Sequence, residues 1–204
     1  MSTVILANGR FPTHNVPLSI LNSASNIICC DGAVNNLDRY GLEPTAIVGD
    51  LDSLSEDLRV KYSYRLFHDS DQQSNDLTKT VKWCIERGIK ALNILAGTGL
   101  REDHTLGNIG LLPSYTRMGI EVKMITDYGT LVPLLKGERL TSFKGQKVSI
   151  FSFENSTVFR SKNLMYPIEG MKFNELWEGT LNQSLDDWFE LIFETGSVVV
   201  FRAH

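Results

Sequence analysis

Short apolar runs, each closed by glycine or a polar side chain, recur along the first 130 or so residues of this chain. They are Val4–Ala7, Asn26–Cys30, Ala46–Val48, Tyr64–Phe67, Ala91–Ala96 and Val122–Ile125. Runs of this length, too short for helices and apolar at nearly every position, predict strands buried on both faces. Helical stretches lie between them. Over Asp76–Arg87, Leu77, Val81, Cys84 and Ile85 share one face, with Ser74 or Asn75 to cap the start and Gly88 to end the helix. A second helix is expected to begin near Asp103 and to carry Leu106, Ile109 and Leu112 up to Pro113. Strand alternating with helix predicts an α/β fold with a mainly parallel, Rossmann-like sheet.

The pattern changes near residue 135. Eight of the ten phenylalanines lie beyond Lys136. Lys147–Phe153 and Thr157–Arg160 read as extended, and Phe189, Leu191 and Phe193 alternate with Glu190, Ile192 and Glu194 at the period of a strand. Thr195-Gly196 is expected to turn this strand into a hairpin with Ser197–Arg202. The expected organisation is an α/β domain over 1–132 and a small all-β domain, a sandwich or barrel, over 136–204, joined near Gly129–Gly137.

Composition narrows the partners. The formal net charge is −4 and no Lys/Arg-rich run exists, which argues against nucleic acid or an anionic membrane as the main partner. No stretch of about 18 apolar residues is present to span a bilayer. The segment Met1–Ala7 lacks the basic region and long apolar core of a signal peptide and reads as the first strand. Cys29, Cys30 and Cys84 all fall in apolar patterns and read as buried free thiols of a cytoplasmic protein.

In an open parallel sheet, ligands bind beyond the carboxyl ends of the strands. The residues found there are Asp31-Gly32-Ala33, Gly49-Asp50-Leu51-Asp52-Ser53, the stretch from His68 through Asp69 and Asp71 to Asp76, and Gly97-Thr98-Gly99-Leu100-Arg101-Glu102-Asp103-His104. Asp50 and Asp52, alternating at one strand end, offer hard oxygen ligands of the kind Mg²⁺ takes together with substrate phosphates. Gly97-Thr98-Gly99 lets backbone N–H groups approach a phosphate, with a helix N-terminus behind. Each piece has a plainer reading as well. Asp31 suits a turn, Asp76 the first turn of its helix, Asp103 an N-cap, and His104 a helix start. The chain lacks the P-loop pattern, the Gly-x-Gly-x-x-Gly dinucleotide fingerprint (Asn8-Gly9-Arg10 follows the first strand) and a Gly-x-Ser-x-Gly elbow. Metal-assisted phosphoryl or nucleotidyl chemistry is the class that remains.

Four ordered segments resemble the motif series of the thiamine pyrophosphokinase family: Cys30–Ala33, Gly49–Ser53, Asp71–Lys79 and Gly99–Asn108. The resemblance implies Mg²⁺-dependent transfer of a pyrophosphoryl group from ATP to the thiamine hydroxyl, giving thiamine diphosphate and AMP. It implies a homodimer whose sites lie between the α/β domain of one subunit and the β domain of the other. By position, Asp31, Asp50, Asp52 and Asp76 correspond to the acidic cluster for Mg²⁺ and polyphosphate. Gln72 corresponds to a polar residue near the thiamine end, and Arg101 and Asp103 to the pair at the nucleotide. Asn108 closes the last motif, where a helix-packing or capping amide is an equal reading. Gly32, Asp71, Gly97, Thr98 and Gly99 complete the expected nucleotide and thiamine contacts, and Asp71 or Asp76 is the expected proton acceptor. The family usually has glycine where this chain has Leu100. In the β domain, Tyr166 of Leu164-Met165-Tyr166-Pro167 is similar to an aromatic preceding a turn, and Asn182 of Leu181-Asn182-Gln183 aligns with a Ser-Asn-Glu or Ser-Asn-Thr segment that carries a serine this chain lacks. Tyr166 or a tryptophan offers a face for the aminopyrimidine. Two other classes fit the same acidic edge: a different Mg²⁺-dependent nucleotide enzyme, and a non-catalytic nucleotide or thiamine sensor.

Overall fold

The computed structural model describes residues 2–204, so Met1, expected at the head of the first strand, lies outside the described residues. The chain divides into two compact units, Met1–Asn108 with Gly119–Asp127, and Ile109–Met118 with Tyr128–His204.

The first unit is built on parallel strands β1 (Thr3–Leu6), β2 (Asn26–Cys30), β3 (Ala46–Gly49), β4 (Leu66–His68), β5 (Ala91–Leu95) and β6 (Glu121–Ile125). Their order is β6-β5-β1-β2-β3-β4, and every pairing is parallel. The helices are α1 (Asn15–Asn22), α2 (Val34–Tyr40), α3 (Glu56–Lys61), α4 (Asp76–Glu86) and the first part of α5 (Glu102–Arg117), whose residues from Ile109 on belong to the second unit. Apolar side chains on β1, β2, β3, β5 and β6 pack with Leu21, Val34, Leu37 and Tyr62 into one core. Burial on both faces explains why these strands read as unbroken apolar runs. Cys29, Cys30 and Cys84 are buried free thiols, and burial pushes Cys30 and Cys84 up to about 12.

Two sequence expectations need correction here. Tyr64 is not in a strand. Ser63–Arg65 forms a 3₁₀ turn, β4 begins at Leu66, and Tyr64 is left exposed. Nor does Pro113 end a helix, because α5 runs through it to Arg117. An interior proline removes one backbone bond and crowds the preceding turn, at a cost of about 3 kcal/mol. Burial of Leu112, Pro113 and Tyr115 on that helix offsets the cost.

The second unit has two antiparallel sheets. One, in the order β12-β9-β14-β7, contains β7 (Gly129–Leu134), β9 (Lys147–Ser152), β12 (Asn182–Gln183) and β14 (Val198–Ala203). The other, in the order β11-β10-β13-β8, contains β8 (Glu138–Thr141), β10 (Phe159–Lys162), β11 (Glu169–Met171) and β13 (Trp188–Ile192). Inward residues of both sheets share one core, with Leu134, Ile150 and Val200 facing Phe159, Phe189 and Leu191, so the unit is a sandwich. Phe159 stacks on Phe173 with centroids 4.8 Å apart, and Phe159, Phe173, Phe189 and Phe193 are the late phenylalanines in this core. The expected hairpin at Thr195-Gly196 is absent. β13 and β14 belong to different sheets, so the turn carries the chain across the sandwich. Alternation shows that a strand has one buried face, but not whether the next strand lies beside it or opposite it.

Candidate active site

The strand order reverses between β1 and β5, and a cavity of about 490 Å³ opens at that point beyond the carboxyl ends of the strands. Each of four strands delivers residues to its wall. Asn8 and Gly9 follow β1, Asp31 follows β2, Asp50 and Ser53 follow β3, and Gly97 and Thr98 follow β5. The start of α4 adds Asn75, Asp76 and Lys79, and α5 with its preceding residue adds Arg101, Thr105 and Asn108.

The backbone at these strand ends is bent against its ordinary preferences. Asp31, Leu51 and Ala96 have φ of 42°, 65° and 54°, immediately or soon after β2, β3 and β5. Left-handed conformations at non-glycine residues cost of order 1–3 kcal/mol each and concentrate at functional sites. Two close approaches complete the floor. The Gly9 N–H donates to the Ala96 carbonyl at 2.8 Å and the Arg10 N–H to the Thr98 carbonyl at 2.9 Å, extending the β1–β5 pairing into the loops. A Cβ on Gly9 would fall 2.4 Å from the Ala96 oxygen, so only glycine fits there. Gly99 has φ of +91°, and a side chain there would strike Arg10.

Three carboxylates line this one cavity: Asp31, Asp50 and Asp76. Asp31 is buried, and its Oδ1 has no hydrogen-bond partner. Burial raises Asp76 above the ordinary carboxylate range. Lys79 opposes that shift, and the Asp50 and Asp31 charges add to it. Lys79 is itself buried, at 3% exposure, with Nζ 3.3 Å from Asp76 Oδ1. Among the described residues, no group of three or more His, Cys, Asp or Glu side chains stands ready to hold a metal alone. Mg²⁺ ordinarily takes one or two carboxylates and completes its shell with water and substrate phosphate. An unpartnered buried carboxylate oxygen beside two further carboxylates fits a metal of that kind.

The other expected residues fall into distinct places. Gln72, Gly97, Thr98, Arg101 and Asn108 also line the cavity. Asn108 ties it together, since its Nδ2 donates to the Gly97 carbonyl at 2.8 Å and its Oδ1 accepts from Asn75 Nδ2 at 3.3 Å. Asn75 in turn caps α4 by accepting the Thr78 N–H at 2.9 Å. Arg101 is exposed and grips Asp103 through two bonds of 3.1 and 2.6 Å. Arg101 and the His104 N–H together draw the Asp103 carboxyl down to about 2. Asp52, Gly32, Asp71, Gly99 and Asp103 are not among the lining residues. Asp52 is exposed, and its N–H donates to Asp50 Oδ1 at 3.3 Å. Asp71 serves as a turn acceptor for the Gln73 N–H at 2.9 Å, which with Ser74 holds its carboxyl low. Lys79, by contrast, carries the site's one buried positive charge, yet the motif reading gave it no role. Its spacing three residues after Asp76 was the available signal.

Tyr166 and Asn182 sit in the second unit, on a cavity of about 420 Å³ shared with Phe173, Glu178 and Leu181. Asn182 is buried, and its amide is spent on the Tyr166 backbone, donating to its carbonyl at 2.8 Å and accepting its N–H at 3.1 Å. The Tyr166 side chain stays exposed. Leu181, with φ of 59°, is 84% exposed at the same rim.

Comparison with known proteins bears on both units. Residues 18–124 match the profile of the thiamin pyrophosphokinase catalytic domain, and residues 129–201 match that of the thiamin pyrophosphokinase substrate-binding domain. Thiamin pyrophosphokinase 1 of Caenorhabditis elegans is 25% identical over 180 residues, covering 72% of this chain and 73% of that protein. Thiamine pyrophosphokinase of Bacillus subtilis is 32% identical over 98 residues, covering 46% of this chain and 45% of that protein. Among solved structures, thiamine pyrophosphokinase from Bacillus subtilis superposes with a TM-score of 0.82 at 19% identity over 99% of both chains. Thiamin pyrophosphokinase from Candida albicans does so with a TM-score of 0.83 at 18% identity, over 100% of this chain and 89% of that one.

Proposed function

The chain belongs to the thiamin pyrophosphokinase family of enzymes, and from that premise we propose that it transfers the β,γ-pyrophosphoryl group of ATP to the thiamine hydroxyl, releasing AMP. The observation that carries this reading is the convergence of Asp31, Asp50, Asp76 and Lys79 on one cavity at the sheet's switch point. A cavity lined by carboxylates alone would repel a polyphosphate. Lys79 and Arg101 supply cations, and the Gly97–Gly99 loop and the first turn of α5 supply backbone N–H groups. Asp31, Asp50 and Asp76, with Asp52 two residues along the same loop, are the residues that would hold Mg²⁺. When bound, the metal would neutralise and polarise the phosphate oxygens.

The remaining work is positioning, because phosphoryl-type transfers depend mainly on alignment and charge neutralisation. The thiamine oxygen attacks the β-phosphorus, the bond to the α-phosphate oxygen breaks, and AMP departs with the electron pair. Asp71 and Asp76 are the candidate acceptors of the hydroxyl proton, and of the two only Asp76 lines the cavity. In the second unit, the exposed Tyr166 ring is read as the face for the aminopyrimidine, with Asn182 fixing its backbone. Domain boundaries at 1–132 and 136–204 and a Rossmann-like description of the parallel sheet accompany this reading. So does assembly as a homodimer, which the exposed Tyr166, Trp177 and Leu181 support. No described helix is long and apolar enough to cross a membrane. The cytoplasm, where ATP is abundant and three free thiols stay reduced, is the proposed location.

Incubating the purified chain with ATP, thiamine and Mg²⁺ tests the reading. Thiamine diphosphate should form only when all three are present, and a chelator should abolish it. Thiamine-independent ATP breakdown would point to another nucleotide enzyme on this scaffold, and nucleotide binding without turnover would point to a sensor.

A further inference from the structure

We propose that Arg59 is a positioning residue that sets the conformation of the Asp50–Leu51–Asp52 loop by clamping the carbonyls of Leu51 and Leu54. The inference rests on the reading of Asp50 and Asp52 as metal carboxylates. Leu51, between them, has φ of 65°, a conformation unfavourable to a residue with a Cβ. A strained residue persists only where its surroundings over-determine it. The surroundings here act in two ways. The side chains of Leu51 and Leu54 are buried in the core of the first unit, each at 6% exposure. The partly buried Arg59 reaches back from α3, donating from Nη2 to the Leu51 carbonyl and from Nε to the Leu54 carbonyl at 3.3 Å. The Leu54 N–H also donates to the Leu51 carbonyl at 3.4 Å, closing the turn.

The Leu51 carbonyl and the Asp52 N–H lie in one planar peptide, so fixing the first orients the second. Asp50 is thereby directed into the cavity, and the Asp52 N–H is held within 3.3 Å of Asp50 Oδ1. The planar fork of a guanidinium holds two carbonyls in a fixed geometry, whereas a lysine ammonium at the end of a flexible stem can meet them but fixes them less rigidly. Outer groups that orient metal ligands typically carry 10–100-fold of metal affinity or activity.

The test compares Arg59→Met and Arg59→Lys with the unaltered chain. Mn²⁺ is titrated by electron paramagnetic resonance in the presence of α,β-methylene-ATP, which cannot be cleaved at the reacting bond. Melting temperature and the KM for thiamine are measured alongside. Mn²⁺ binding to folded Arg59→Met should weaken by roughly 10–100-fold, with Arg59→Lys between the two and the KM for thiamine unchanged. If Arg59→Met does not fold, Arg59→Lys, which keeps the charge and most of the stem, carries the comparison. A folded variant that binds Mn²⁺ as the unaltered chain does overturns the proposal. So does a loss that tracks only the unfolded fraction. Failure of the unaltered chain to bind Mn²⁺ with nucleotide overturns the functional reading itself, and this inference with it.

Discussion

Replacing Lys79 with methionine removes the buried cation of the cavity while keeping most of the side-chain volume. In the structure, Nζ lies 3.3 Å from Asp76 Oδ1, and the two side chains are 4% and 39% exposed. Breaking a fully buried ion pair from one side costs about 3–5 kcal/mol. Asp76 keeps part of its hydration, so the expected loss is smaller, about 1–2 kcal/mol. In a chain of this size that lowers the melting temperature by about 2–8 °C. The catalytic loss should be larger. A cation aimed at charge that develops on the transferred group resembles a single oxyanion donor, whose removal costs about 10²–10³ in kcat. Melting curves with and without Mg²⁺–ATP, together with kcat at saturating substrates, measure both effects. A folded Lys79→Met enzyme with kcat within threefold of the unaltered chain would refute the placement of Lys79 at the phosphates.

Other expectations follow from the same geometry. Asp50→Asn and Asp52→Asn should each cut turnover by roughly 10²-fold or more with circular dichroism unchanged, and near-full activity in either variant would remove that residue from the metal set. Asp76 is raised in the folded chain, so its contribution to stability is full below its unfolded value near pH 4 and is lost as pH rises through the folded value. Asp76→Asn should therefore narrow the stability difference between pH 4 and pH 7 in denaturant titrations while reducing turnover. An unchanged difference would count against the shift. Burial raises Asp127, but bonds from Thr13 and His14 outweigh it and leave its carboxyl lowered. Its stabilisation is thus present above about pH 4 and lost as pH falls through the lower folded value. Asp127→Ala should cost about 1.5 kcal/mol at pH 7 and almost nothing in strong acid, as acid melting curves would show.

Much of the first unit was legible because buried parallel strands leave a simple trace. β2 matches its apolar run end to end, and α4 starts after the Asn75 cap and ends before Gly88. The misses have physical causes. Pro113 is a strong local stop signal, but tertiary burial outweighed it. Tyr64 has strand propensity, yet it falls in a 3₁₀ turn. The crossing at Thr195-Gly196 was hidden because a paired strand and a facing strand carry the same alternation. Within the candidate site, Asp31 and Asp50 were legible as neighbours because topology gathers strand ends whatever the loop details, whereas Asp52, on the same loop, is exposed and outside the cavity lining. Lys79 was overlooked because a long charged side chain on a helix reads as solvated. Its burial depends on the carboxylates that surround it after folding.

Following both transferable phosphates separates pyrophosphoryl transfer from simple phosphoryl transfer. Thiamine and Mg²⁺ are supplied with ATP labelled at either the β- or the γ-phosphorus. Attack at the β-phosphorus predicts that both labels enter thiamine diphosphate together, with one AMP released per product. Label transferred only from the γ position, with ADP and thiamine monophosphate formed, would rule out pyrophosphoryl transfer by this protein.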